Sequence, residues 1–271
     1  MARRRTETML VVTVDGEQRN RRPDELIVEE PMAIQLDGTL VSTTMRTPGN
    51  DFELAVGFCH GEGLLHGAPV TGVRYCGTGS AVDSEFNVVT VETGGRAPSP
   101  VPRLGITSSS CGLCGSTTLN ELTERLDPLD PARLTPIPLE VLAAVPETVL
   151  GGQGLFGATG AVHAAAAFDA AGKPFVVRED VGRHNAVDKV VGRLLLDGLL
   201  PAHRFGLFVS GRASFEMVQK AWAAGFGSVV AVSAPTALAV STARTAGLTL
   251  LGFVRGDRYN VYAPDGPGTR R

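Results

Sequence analysis

The chain has 271 residues, 43% hydrophobic and 20% charged, a composition that excludes a disordered protein and marks an ordinary folded one. Its 25 basic and 28 acidic residues give a net charge of -3, so nothing draws it generally to nucleic acid. No apolar run reaches the ~18 residues of a membrane span, and Arg3-Arg4-Arg5 leads into no apolar core before Asp15, so neither a membrane segment nor a signal peptide is predicted.

The first eight residues and residues 264–271 read as frayed tails. Met9–Val14 reads as a strand ending in an Asp15-Gly16 turn. Leu26–Asp37 and Leu40–Met45 form a predicted hairpin around Asp37-Gly38. Asp51–Leu65 is helix-like, capped by Asn50 or Asp51, with Leu54, Phe58 and Leu65 on its apolar side. Val70–Cys76 and Phe86–Glu92 are strand-like. The Gly/Pro-rich stretch Gly94–Pro102 places a domain boundary, giving an N-terminal domain of residues 1–104 and a C-terminal domain of residues 105–271. Thr117–Leu126 is helix-like, with Leu119, Leu122 and Leu126 on one face. Asp127–Pro138, with four prolines, reads as a second linker into a short helix, Leu139–Leu150.

The C-terminal half alternates. Thr159–Asp169 and Pro174–Arg178 form a predicted β-hairpin around Ala170-Ala171-Gly172. A helix over His184–Leu196 carries Val187, Val190, Val191, Leu194 and Leu195 on one face. Strands over Phe205–Ser210, Ser228–Ser233 and Leu248–Val254 alternate with helices over Ser214–Ala224 and Thr236–Ala246, and Tyr259–Ala263 is a last extended piece. This order predicts an α/β architecture, α+β overall, with a partly parallel mixed sheet. The turns Ser210–Ala213, Ser233–Thr236 and Arg255–Arg258 should gather at the sheet's carboxyl edge, where such sheets hold ligands.

Two of only four cysteines, Cys111 and Cys114, stand in a CxxC flanked by Gly112, Gly115 and a run of Ser and Thr. The helix-like stretch that follows places them at or just before a helix N-terminus. Orphan N–H groups and the helix dipole there lower a thiol's pKa from about 8.5. Four cysteines without an export signal point to a reducing cytoplasm, where a CxxC is catalytic or metal-binding rather than a staple. Four readings stand: an inert core pair, a thioredoxin-like redox pair, a zinc site completed by Cys59, His60 or Cys76, and a nucleophilic thiolate carrying sulfur as a persulfide. A sharper zinc reading takes His60-Gly61-Glu62 with Cys111 and Cys114 as the H-x-E…C-x-x-C outline of a zinc-dependent deaminase-type hydrolase, although Ser110 stands where that outline has proline.

Lysine is scarce (Lys173, Lys189, Lys220) and arginine abundant, so planar cations suited to phosphate predominate. Arg178–Asn185 packs five ionisable residues into eight positions before a helix, and reads either as a capping cluster or as a site in which His184 works as acid, base or donor. Phe253-Val254-Arg255-Gly256-Asp257-Arg258 follows a strand. It reads as a solvated turn or as a phosphate clamp that Arg212 could join. Neither GxGxxG nor a P-loop occurs.

Several of these strings together resemble the formate dehydrogenase accessory sulfurtransferases of the FdhD/NarQ family. They are Glu29–Pro31, Ala55–Phe58 with Gly61–Gly63, Ser109–Gly115, Thr159-Gly160 with His163–Ala165, Arg178–Lys189, Ser210–Lys220, Val232–Thr236, and Gly252–Gly256 with Asn260–Tyr262. The resemblance implies a small N-terminal α+β domain and a C-terminal domain like that of cytidine deaminases. It implies a sulfur carrier that takes sulfur from a cysteine desulfurase and passes it to the molybdenum bis(pterin guanine dinucleotide) cofactor of formate dehydrogenase. Cys111 would carry the persulfide with Cys114 beside it. Phe253–Arg258 would bind the cofactor, for which GDP is an analogue, and the protein would hold no metal of its own. A cytoplasmic homodimer contacting neither nucleic acid nor membrane is expected. Two departures stand out: Ala161 where a second glycine is expected, and Cys59-His60 where an apolar pair is usual, so those two residues are expected to have no family role.

Overall fold

The computed structural model describes residues 4–76, 81–82, 84–100 and 126–264. The sites predicted at Cys111 and Cys114, the helix-like stretch up to residue 125 and the boundary at 104/105 lie outside these residues. The architecture is mixed α and β, as the sequence predicts.

The chain opens with an antiparallel ribbon, β1 (Thr6–Asp15) and β2 (Gln18–Ile27). The second strand is almost wholly polar, so no apolar alternation announces it, and it takes Leu26 and Ile27 from the strand predicted after it. Next come β3 (Glu30–Leu36), β4 (Thr39–Arg46), helix α1 (Asp51–Gly61), β5 (Gly72–Tyr75) and β6 (Val88–Glu92). They form a four-stranded sheet ordered β4-β3-β6-β5, in which β3 and β6 run parallel. Met32, Ile34, Leu36, Val89 and Val91 bury one face against Leu54, Ala55 and Val56 of α1. The helix stops four residues short of Leu65. Asn50 precedes it in the left-handed region with no side-chain cap, and Asp51 instead accepts the Gly49 N–H at 3.0 Å.

The larger body contains α2 (Leu139–Leu150), α3 (Gly154–Thr159), β7 (His163–Phe168), β8 (Pro174–Asp180), α4 (Arg183–Leu196), β9 (Gly206–Val209), α5 (Phe215–Ala224), β10 (Ser228–Ala231), α6 (Ala237–Ala246), β11 (Thr249–Arg255) and β12 (Arg258–Ala263). Its six strands are ordered β12-β11-β10-β9-β7-β8, with β9, β10 and β11 parallel and their neighbours antiparallel. The two-residue period of a strand sorts its side chains. Ala165, Ala167, Leu207, Val209, Val229, Ala231 and Leu250 pack under α4, α5 and α6. Ala166, Phe168, Phe208, Val230 and Leu251 pack under α2. The proline-rich stretch read as a linker is pinned: Leu126 and Leu129 join the first core, the Leu129 N–H donates to the Ala246 carbonyl at 2.9 Å, and Trp222 Nε1 donates to the Asp127 carbonyl at 2.8 Å.

Helices α1 and α4 cross backbone to backbone. A Cβ placed on Gly57 would lie 1.9 Å from the Asp188 carbonyl oxygen, and one on Gly192 would lie 1.8 Å from that of Glu53. Only glycine permits that approach. Around the crossing the polar groups are matched. Arg178 grips Glu53 with two hydrogen bonds of 2.5 and 2.7 Å. Lys220 reaches Asp188 at 2.7 Å, and Gln219 donates to the Gly61 carbonyl at 2.9 Å.

Candidate functional site

The carboxyl ends of β9, β10 and β11 share one edge because the three strands are parallel. The turns behind them are stitched together there. Ala213 and Pro235 form a β-bridge, and the Phe253 N–H donates to the Ser233 carbonyl at 3.2 Å. Gly252 admits this contact, since a Cβ there would come within 2.9 Å of Pro235 and 3.0 Å of the Tyr262 ring. β7 runs opposite to β9, so its first residue, His163, arrives at the same edge, paired across β8 with Asp180.

The predicted stretch Phe253–Arg258 closes β11 and opens β12 at this edge. The register slips between Gly252 and Arg255. Phe253 sits at φ 55°, a left-handed value that a bulky residue adopts only under constraint. Phe253 is 45% exposed. Arg255 and Arg258 face each other across the turn, both exposed and in no ion pair among the described residues. Val254 is buried in the core beneath, while Gly256, at φ 52°, and exposed Asp257 make the turn itself. An exposed aromatic ring beside two uncommitted guanidiniums can stack a planar base and hold phosphate oxygens.

The Arg178–Asn185 cluster divides. Most of it is structural. Arg178 holds Glu53, and Glu179 accepts the N–H groups of Leu155 and Phe156 at 3.0 and 2.8 Å, capping α3. Asp180 is wholly buried, ion-paired with buried Lys189 at 2.7 Å, and accepts from Gly182 and Asn185. Burial pulls Lys189 below its ordinary value, and Asp180 opposes that pull. Arg183 and His184 are different: they stand at the start of α4, on the same carboxyl edge of the sheet. His184 Nε2 lies 2.6 Å from Glu216. Burial pushes the Glu216 carboxyl up, but the hydrogen bond and charge of His184 bring it below its usual value. Sequence reasoning assigned no role to His163. Burial first, then Arg183, His184 and Arg212, lower its imidazole below 6.5. The signals that could have marked it are its place in the His163–Ala165 string and at a strand's first residue, beside the Ser210 turn.

Of the residues nominated for a deaminase-type zinc site, the two that are described, His60 and Glu62, are engaged elsewhere. His60 Nε2 contacts the Ala223 carbonyl at 3.1 Å, and Glu62 lies 3.7 Å from the Lys220 ammonium. Cys59 is wholly buried, and burial with the nearby Asp188 and Glu62 charges pushes its thiol up to about 12. These contacts tie the end of α1 to α5. No group of three or more potential ligands is assembled among the described residues, which leave out Cys111 and Cys114. Cys76 is half-buried at φ 68° and takes no part in the edge.

Comparison with known proteins decides the kinship. Residues 27–266 match the sequence profile of the FdhD/NarQ family. The chain belongs to the FdhD/NarQ family. Its relatives include the sulfur carrier protein FdhD of Nocardia farcinica, 47% identical over 266 residues and covering 97% of this chain and 95% of that one. The FdhD of Streptomyces avermitilis is 47% identical over 268 residues, 95% and 94% of the two chains. That of Mycobacterium tuberculosis is 46% identical over 252 residues, 89% and 90%. The fold matches the crystal structure of a putative formate dehydrogenase accessory protein from Desulfotalea psychrophila, with a TM-score of 0.78 and 24% identity over 97% and 98% of the two chains. Among the described residues of this FdhD/NarQ member, no helix is long and apolar enough to cross a membrane.

Proposed function

We propose that this protein is a sulfur carrier serving formate dehydrogenase, which takes sulfur from a cysteine desulfurase and delivers it to a molybdenum bis(pterin guanine dinucleotide) cofactor. The observation that carries the reading is the near full-length similarity to proteins named sulfur carrier protein FdhD, in a chain whose CxxC has each cysteine followed by a glycine. In the loading step the Cys111 thiolate attacks the terminal sulfur of the donor's persulfide. A new S–S bond forms at Cys111, the donor's S–S bond breaks, and the donor leaves as a thiolate. In the delivery step the Cys114 thiolate attacks Sγ of Cys111. The two cysteines are oxidised to a disulfide, the terminal sulfur is reduced and leaves as hydrosulfide to the cofactor's metal, and a dithiol reductant restores the pair.

The cofactor is the substrate here, not a resident group. The exposed ring of Phe253 suits a guanine, and Arg255 and Arg258 suit its phosphates. The protein works in the cytoplasm, as a pair of identical chains. Complementation tests the reading. In cells lacking their own carrier, the wild-type chain should restore formate dehydrogenase activity, and Cys111→Ala should not. Restoration by Cys111→Ala would refute it.

A further inference from the structure

We infer that His163, Arg183 and Arg212 line a second phosphate-class anion site on the ligand edge, two strands away from the Phe253–Arg258 turn. The inference rests on the proposed function only in treating this edge as the ligand edge.

The niche is built at the junction of β7, α4 and the turn after β9. Gly211 makes room for it. A Cβ there would sit 3.4 Å from His163 Nδ1, 3.6 Å from its Cε1 and 3.9 Å from Arg183 Cδ, so imidazole and guanidinium stem converge on one bare stretch of backbone. Ser210 holds the turn in place: its Oγ accepts the Ala164 N–H at 2.9 Å, and its own N–H donates to the Ala164 carbonyl at 2.9 Å. Arg212 follows at once and is exposed.

Charge accounting favours an anion. Among the described residues, the acidic groups around the niche are committed: Asp180 to Lys189, and Glu216 to His184. Arg212 has no ion-pair partner among the described residues, and the His163 imidazole makes no hydrogen bond to any of them. The imidazole is held below its ordinary value by burial, then by Arg183, His184 and Arg212, with Asp180 opposing. A neutral imidazole can donate one hydrogen bond without adding charge, and the exposed Arg212 guanidinium supplies a fork-like pair of donors. Together they match tetrahedral oxyanions rather than a compact halide.

The placement fits an extended ligand. β9 and β11 flank β10, so the Arg212 and Arg255 turns stand roughly 10 Å apart at strand spacing. The bridge from Ala213 to Pro235 and the hydrogen bond from Phe253 to Ser233 make the ledge between them continuous. One ligand carrying separate phosphoryl groups can therefore engage both turns.

Pyrophosphate and GDP, titrated calorimetrically into the full chain at low salt, test this. Pyrophosphate should bind wild type, and Arg212→Ala should weaken it about tenfold or more, the loss of one charge-assisted pair. Arg212→Lys should recover only part, because the ammonium lacks the fork. In protein labelled with 15N-histidine, pyrophosphate should shift the His163 ring signals. GDP affinity should respond to both Arg212→Ala and the Arg255→Ala, Arg258→Ala pair if one ligand spans both turns, and only to the pair if pyrophosphate alone uses the niche. Equal pyrophosphate affinity in wild type and Arg212→Ala, or an unmoved His163 signal, overturns the site. Sulfur loading on Cys111 is read separately by mass, so its failure would strike the carrier reading and leave this one standing.

Discussion

The glycine crossing of α1 and α4 gives the sharpest structural prediction. Gly192→Ala puts a Cβ 1.8 Å from the Glu53 carbonyl oxygen, where ordinary contact begins at 3.4 Å, so the helices must part by about 1.6 Å. A gap of 0.5–1 Å already forfeits about a quarter to a half of the dispersion energy across a contact. The Arg178–Glu53 pair ties α1 to β8 beside the crossing with bonds of 2.5 and 2.7 Å, and would be stretched as α1 moves. Overpacking a tight core costs roughly 1–3 kcal/mol, and the backbone atom struck here cannot swing aside. We therefore expect a loss of at least about 3 kcal/mol, lowering the melting temperature by roughly 6–12 °C. Urea titration measures it, with Gly157→Ala as control. Gly157 lies in α3 with nothing within 4 Å of a Cβ, and that change should be neutral or stabilise by about 0.4–1 kcal/mol. A Gly192→Ala variant within about 0.5 kcal/mol of wild type would refute the reasoning.

Lys220→Met leaves wholly buried Asp188, which burial already raises to about 6, without its partner. The expected loss is about 3–5 kcal/mol at pH 8, shrinking at pH 5 as the carboxyl protonates, and an equal loss at both pH values would contradict this. His60 and His163 are both held below 6.5, chiefly by burial, so their stability contribution is present above that value and lost as pH falls through their folded values. Asp188 works in the opposite sense below about 6. The test is therefore a difference: between pH 7 and 5 the urea midpoint of wild type should fall more than that of His60→Gln, and parallel profiles would count against it. Arg255→Ala with Arg258→Ala should weaken GDP binding by on the order of 1–3 kcal/mol, and unchanged affinity would remove that turn from the site.

Much of the fold was legible because apolar periodicity carries it. The valines and leucines of α4 and the runs at β9, β10 and β11 stand out at helical and buried-strand spacing. β2 was not legible: Arg19, Asn20, Arg21 and Arg22 pair along β1 through the backbone ladder, with no apolar alternation to mark it. The short helix α3 owes its start to Glu179, 24 residues beyond Leu155, a contact no local pattern reveals. Of the candidate site, the Arg255–Arg258 turn could be read from its residue types. The split of the Arg178–Asn185 cluster could not, since the partners of Arg178 and Asn185 sit at Glu53 and Met45, far away in sequence. His163 escaped for a similar reason, because its neighbours Arg183 and Arg212 come from other elements.

Intact-mass spectrometry of the chain after incubation with a cysteine desulfurase and cysteine tests the central claim most directly. Wild type and Cys114→Ala should each gain about 32 Da, one sulfur on a thiolate, released by a reducing agent, and Cys111→Ala should gain nothing. A sulfur adduct on Cys111→Ala, or its loss in Cys114→Ala alone, would contradict the assignment of Cys111 as the carrier.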